Sequence, residues 1–148
     1  MPVLDIDELP RPGVLLGLDP GSKTLGVAAS DPDQRVAAPI TVIRRTKLKA
    51  DAEALFTLYD ARDAVGLVIG LPLNMDGSEG PRVQSARALV RNLLGLRDLA
   101  IAFQDERLTT AEAQRAMIAA DLSRAKRAAV IDQSAAAIIL QTALDRRR

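Results

Sequence analysis

The chain contains no cysteine and no histidine. The first absence rules out disulfides and thiolate-bound metals, and the second rules out a histidine base and an imidazole zinc site. A hydrolase built from these residues is left with carboxylates and a hard, oxygen-preferring cation, or with lysine and hydroxyl groups. Aromatics are scarce at 2%, so the core must come from Ala, Leu, Val and Ile, and a platform of rings for stacking bases is weakly supported. No apolar run approaches the ~20 residues of a membrane-spanning helix. Residues 1–12 carry Asp5, Asp7 and Glu8, without the basic start and apolar stretch of a secretory signal. A cytoplasmic protein without a membrane partner is therefore expected.

What is present suits one domain: 148 residues, 48% apolar and 26% charged. A single domain over 1–148 is expected, with 1–12 as a short, flexible leader. The net charge of +1 does not advertise a nucleic-acid partner, but the cations are clustered. Arg44, Arg45, Lys47 and Lys49 form one run, Arg124, Lys126 and Arg127 a second, and Arg146, Arg147 and Arg148 a third. Taken alone, each run is expected to be a solvated face or tail.

The apolar pattern predicts a strand over Val14–Asp19, a turn at Pro20-Gly21-Ser22, a second strand over Leu25–Ser30, and a third over Val36–Ile43. Pro39 assigns the third strand to an edge or a bulge. Helical spacing follows over Lys47–Arg62. Gly66–Leu71 has the uninterrupted apolar character of a central parallel strand, and it breaks at Pro72 into a polar loop. Pro81–Leu96 reads as a helix and Leu99–Gln104 as a last strand. Thr109-x-x-Glu112 is a capping box opening a helix to about Ala120, and a final helix is expected from about Val130 to Leu144. The order β-β-β-α-β-α-β-α-α predicts an α/β fold: a mixed sheet of five strands, the first three antiparallel, with helices on both faces.

Three acids stand where chemistry could use them. Asp19 ends the first strand, and ligands of open α/β sheets lie beyond the carboxyl ends of strands; as an isolated Asp-Pro-Gly it reads more readily as a turn cap. Asp105 and Glu106 end the last strand. Side chains alternate along a strand, so only one of them can enter a given cleft, and the other is left to pair with Arg107 or to be solvated. Counting by three and four from Asp132 reaches Ala135, Ala136, Ile139 and Ala143, the apolar face of the last helix, where a carboxylate is costly without a partner or a metal. A solvated acid in the first turn, favoured by the helix dipole, is an equal alternative. Three such carboxylates could hold two divalent ions for phosphodiester cleavage without histidine.

These residues fall within four motifs, Leu18-Asp19-Pro20-Gly21-Ser22-Lys23-Thr24-Leu25-Gly26-Val27-Ala28, Gly70-Leu71-Pro72-Leu73-Asn74-Met75-Asp76-Gly77, Asp105-Glu106-Arg107-Leu108-Thr109-Thr110 and Asp132-Gln133-Ser134-Ala135-Ala136. In order and spacing they resemble the YqgF family, whose members are described as pre-16S rRNA nucleases and as Holliday junction resolvases. The likeness runs from about Val14 to Leu144. It implies a ribonuclease H-like fold, with Asp19, Glu106 and Asp132 as catalytic and metal-binding residues and Mg²⁺ as cofactor, Mn²⁺ being a substitute. It also implies 5′-end trimming of ribosomal RNA precursors, with pre-rRNA or ribosomal particles as partners of a monomer or weak homodimer. Arg107, Arg124, Lys126 and Arg127 are the expected phosphate contacts, and Asn74, Asp76 and Ser78 line the cleft edge, Asp76 fitting a turn role better than a catalytic one. Two departures stand out. Thr24 occupies a position that is often basic in the family, with Lys23 next door as the substitute contact, and Asp121 stands where glycine is expected.

Other readings share the fold. A resolvase of branched DNA requires a symmetric dimer with two sites. A non-catalytic nucleic-acid-binding regulator would not need all three acids. A nucleotide-binding lobe of an actin-like ATPase or sugar kinase would need a second lobe that 148 residues do not supply.

Overall fold

In the computed structural model, residues 3–107, 109 and 134–147 are described. The chain forms β1 (Val14–Pro20), β2 (Thr24–Ser30), β3 (Ala37–Arg44), α1 (Leu48–Ala61), β4 (Ala64–Leu71), α2 (Pro81–Leu96), β5 (Ile101–Asp105) and α3 (Ala135–Arg146). The strands make one five-stranded sheet in the order β3-β2-β1-β4-β5. The β1–β2 and β2–β3 pairs are antiparallel, whereas β1–β4 and β4–β5 are parallel. Within the described residues the strand and helix expectations hold to within a few residues at the ends, while the start expected for the last helix, near Val130, lies outside them. The helix expected after Thr109 lies outside the described residues.

Alternation sorts the side chains onto two faces. Leu16, Leu18, Leu67, Ile69 and Ile101 pack against Leu55 of α1 and Leu89 and Leu93 of α2. Leu15, Val68 and Ala102 pack against Ala136, Ile139 and Leu140 of α3. Helices therefore cover both faces. α3 lies almost directly on β1: a Cβ at Gly17 would stand 2.7 Å from that of Leu140, so a hydrogen side chain is what permits the approach. Pro39 sits in the edge strand β3, and the β2–β3 register shifts between Val27 and Ala28, which faces Pro39. That is the arrangement the proline predicts.

Two expectations are corrected. Residues 3–12 do not form a loose leader. Leu4 bridges Ala102 beside β5, a single 3₁₀ turn covers Ile6–Glu8, and Ile6 and Leu9 are buried. Nor is Arg147 part of a solvated tail. It is buried, and its guanidinium donates to the carbonyls of Ile6 and Leu9 and to Gln34 Oε1, while Gln34 Nε2 donates to Pro10 and Gly13. The signal was weak in both cases, because Ile6 and Leu9 lie among acids and prolines without a period, and an arginine among arginines reads as surface. Among the described residues, no helix is long and apolar enough to cross a membrane.

Candidate active site

The strand directions place the carboxyl ends of β1, β4 and β5 at one end of the sheet. Asp19 is the sixth residue of β1 and shares a face with Leu15 and Gly17, the face that α3 covers. Its cross-strand partner is Gly26, and a Cβ at Gly26 would lie 3.5 Å from Asp19 Cβ and 3.6 Å from Ala136 Cβ. Asp19 thus stands under the first turn of α3. That helix begins at Ala135, with the Ser134 hydroxyl accepting from the Ala137 N–H at 3.3 Å, an ordinary N-cap.

Glu106 follows β5 directly. Two residues on from Gln104 and four from Ala102, it continues the side of β5 that faces α3, whereas Asp105 has the opposite parity. Of the two acids, Glu106 is thus the one turned toward the face that α3 covers. Glu106 is 0% exposed, and its carboxylate lies over the bare backbone of β4: a Cβ at Gly70 would be 2.8 Å from Oε2 and 2.6 Å from Ile139 Cδ1. Gly70 pairs with Gln104, and Asp19 follows the Leu18–Ile69 pair, so Asp19 and Gly70 are at one level of the sheet. Two strand spacings separate β1 from β5, about 10 Å. Reaching over Gly70 carries Glu106 part of the way across that gap toward Asp19. The backbone is held behind it: the Glu106 N–H donates to the Leu71 carbonyl at 3.2 Å, and the Thr109 hydroxyl donates to the Glu106 carbonyl at 2.9 Å.

Asp105 turns away and is engaged by Arg107, with Nη2 to Oδ2 at 2.7 Å and the Arg107 N–H to Oδ1 at 2.9 Å. The guanidinium hydrogen bond holds the Asp105 carboxyl below its usual range, and the same pairing raises Arg107. Arg107 thus reaches the site's rim already bound to one carboxylate. Asn74 is exposed in the loop after β4, where Nδ2 donates to Ser78 Oγ at 3.0 Å. Asp76 accepts from the Ser78 N–H at 2.8 Å, and its hydrogen bonds to Ser78 lower its pKa. Asp76 therefore has a turn role. Lys23 is exposed in the β1–β2 turn. Asp132, Arg124, Lys126 and Arg127 lie outside the described residues. Among the described residues, no group of three or more acids could hold a metal ion; two of the three expected carboxylates are brought to one end and one face of the sheet.

One polar group here was not singled out from the sequence. Gln104 is buried on the Glu106 side of β5; its Nε2 donates to the Asp105 carbonyl at 3.0 Å, and its Oε1 has no hydrogen-bond partner among the described residues. Its only sequence signal was a polar residue at an inward position of an apolar strand.

The family described as RuvX, Holliday junction resolvase, matches residues 13–146. A protein of Paracoccus denitrificans named "Putative pre-16S rRNA nuclease" is 60% identical over 142 residues, covering 96% of this chain and 90% of the relative. One of Bradyrhizobium sp. with the same name is 58% identical, covering 93% and 85%. Among solved structures, T. thermophilus RuvC in complex with a Holliday junction substrate superposes with a TM-score of 0.51 at 13% identity, over 90% of this chain and 95% of that one. The fold is ribonuclease H-like.

Proposed function

The chain belongs to the RuvX (YqgF) family, and from that membership we propose that it is a divalent-metal-dependent nuclease hydrolysing phosphodiester bonds in the 5′-end maturation of pre-16S ribosomal RNA. It works as a single ribonuclease H-like domain in the cytoplasm, as a monomer or weak homodimer acting on pre-rRNA or ribosomal particles. The observation that carries this reading is the convergence of Asp19 and Glu106 on one face at one end of the sheet, with Gly70 bare beneath the Glu106 carboxylate.

The donor set fits Mg²⁺, with Mn²⁺ as a substitute. It consists of carboxylate oxygens without sulfur or imidazole, and Mg²⁺ uses few protein carboxylates while keeping waters and substrate oxygens as its other ligands. Asp19, Glu106 and Asp132 are the proposed ligands; Asp132 precedes the N-cap Ser134 by two residues in the chain. Ions bound there supply activation of water and neutralisation of charge on the leaving oxygen. The protein contributes rigidity. Asp19 is on a strand paired on both sides, and the Glu106 carboxylate is buried against Gly70, onto which Ile139 also packs. Both carboxylates are thereby set before substrate arrives, which is the source of electrostatic preorganisation. Lys23, Asn74, Arg107, Arg124, Lys126 and Arg127 act as substrate contacts, positioning phosphates without reading sequence.

A second reading, resolution of branched DNA, is favoured by the description of the family itself. It keeps the carboxylates and changes the substrate, and it requires two sites related by symmetry. The test is incubation of the purified protein with a precursor 16S rRNA fragment and, separately, with a four-way DNA junction, each with Mg²⁺ and with EDTA. Mg²⁺-dependent cleavage of the RNA supports maturation, and symmetric nicking of the junction alone supports the second reading. Cleavage of neither by the wild type, or cleavage that survives Asp19→Asn, overturns the nuclease assignment and leaves a nucleic-acid-binding protein.

A further inference from the structure

The first basic run of the sequence has no place in the carboxylate site, yet it lies at the same end of the sheet. β3 runs parallel in space to β1 through the antiparallel β2, so Arg44 at its end, and Arg45, Lys47 and Lys49 beyond it, stand on the level of the Asp19 turn. Two arginines grip that turn. Arg45 Nη1 donates to the Gly21 carbonyl at 2.7 Å, and Arg82 Nη2, from the first turn of α2, reaches the Pro20 carbonyl at 3.5 Å. The Arg45 N–H is bonded to the Lys23 carbonyl at 2.9 Å, so the guanidinium and its backbone are both tied to the turn that follows Asp19.

Beside Arg45 lies a groove of about 470 Å³. One wall is the turn and the β3–α1 junction, with Ser22, Arg45 and Thr46; the other is the stripe of α2 bearing Ser85 and Asn92. Arg82, Ser85, Leu89 and Asn92 are spaced at three, four and three residues, so they share one side of α2 and lead from the turn along the groove. Its single carboxylate, Asp51, is committed internally, accepting from the Thr46 N–H at 3.0 Å, and no ion pair joins it to Arg45. Arg45 has one of five guanidinium donors engaged by Gly21. The groove therefore offers one cation, three hydroxyls and an amide, with no aromatic ring. Those are groups that meet sugar and phosphate, and no aromatic ring lines the groove to give a base a stacking platform.

We infer that this groove seats the sugar–phosphate backbone of the substrate strand next to the cleaved bond, with Arg45 as its phosphate contact and Ser22, Ser85 and Asn92 as neutral donors. The inference rests on the nuclease reading above and deepens it. The strand passes over the Pro20–Lys23 turn, from the face carrying Asp19 to the face carrying α2. Recognition is by backbone and is indifferent to base sequence.

The probe is a fluorescein-labelled single-stranded RNA oligonucleotide whose binding is followed by anisotropy in EDTA across a salt series, alongside Mg²⁺-dependent cleavage of the precursor fragment. Ser85→Glu and Asn92→Asp place a negative charge in the groove without removing any side-chain hydrogen bond to the other described residues. Each should weaken binding about tenfold, and Arg45→Gln should in addition reduce the slope of log affinity against log salt by about one. Arg62→Gln, a charge loss at the far end of α1, should bind as wild type does. Thermal transitions identify any variant that fails to fold, in which case the other of the Ser85 and Asn92 substitutions decides. Wild-type affinity in folded Ser85→Glu and Asn92→Asp overturns the groove assignment while leaving the nuclease reading intact. Weakening by Arg45→Gln alone does the same, because it reduces Arg45 to a support of the turn. Failure of the wild type to cleave either substrate counts against the nuclease reading instead.

Discussion

The two ends of the sheet each bury a charge, and they do so in opposite ways. At the amino end, Arg147 is surrounded by acceptors that belong to the protein: two main-chain carbonyls and the Gln34 amide, itself held by Pro10 and Gly13. Burial lowers the Arg147 pKa from its ordinary value, but the charge is met by internal groups, and the result is a clasp joining α3 to the leader. At the carboxyl end, Glu106 is equally buried, but the space around its carboxylate is made by what is missing, a side chain at Gly70. A buried ion enclosed by backbone partners belongs to folding. A buried carboxylate over a cleared strand end, level with a second acid, is the arrangement on which the proposed chemistry rests. The sign and the burial of a charge do not separate these cases; what each charged group is packed against does.

The contrast can be broken most decisively at Asp19. Asp19→Asn should lower Mg²⁺-dependent cleavage by at least ~10²–10³-fold, with the thermal transition in EDTA nearly unchanged; a retained rate in a nuclease-free preparation defeats the assignment. Gly70→Ala comes next. Its Cβ would press on Glu106 Oε2 and Ile139 Cδ1, so a stability loss of about 1–3 kcal/mol by urea denaturation should accompany a fall in cleavage of at least ~10-fold as the carboxylate is displaced. Arg147→Met tests the other end. Leaving the Ile6 and Leu9 carbonyls and Gln34 Oε1 without their donor should cost about 2–4 kcal/mol in the same assay, while the turnover of the folded fraction stays within about twofold. A comparable loss of turnover would show that the two ends are coupled.

The smallest effect is expected at Asp105. Its pKa is depressed in the folded chain by Arg107, so its contribution is present above the ordinary carboxylate pKa and disappears as the pH falls through the folded value. Asp105→Asn should therefore be less stable than wild type by under about 1 kcal/mol at pH 7, with the difference vanishing in denaturation curves taken at about pH 2. A difference that grows on acidification would mean that the Arg107 pairing is not its source.

Where a residue's role follows from periodicity, the chain announced it. The strand ending at Asp19, the edge position of Pro39 and the opposite parities of Asp105 and Glu106 all follow from alternation and turn chemistry. The burial of Arg147, Ile6 and Leu9 does not, because it depends on contacts such as Arg147 to Ile6, 141 positions apart, with no local repeat to mark them. Gln104 shows the same limit: an inward polar residue was visible in the sequence, but its level with Gly70 exists only once β5 is registered on β4. Asp132, expected on the apolar face of the last helix, lies outside the described residues, and α3 itself begins after it, at Ala135.

The Leu4 bridge has a consequence for how this protein behaves in a crowd. A sheet margin is a template on which a foreign strand can zip, the first step toward polymerised aggregates. Here the β5 margin is five residues long and is already occupied in part by Leu4, whose N–H donates to the Ile101 carbonyl at 2.8 Å. The opposite margin carries a proline ring and a slipped register, so neither flank presents a long, uninterrupted row of partners to a stranger.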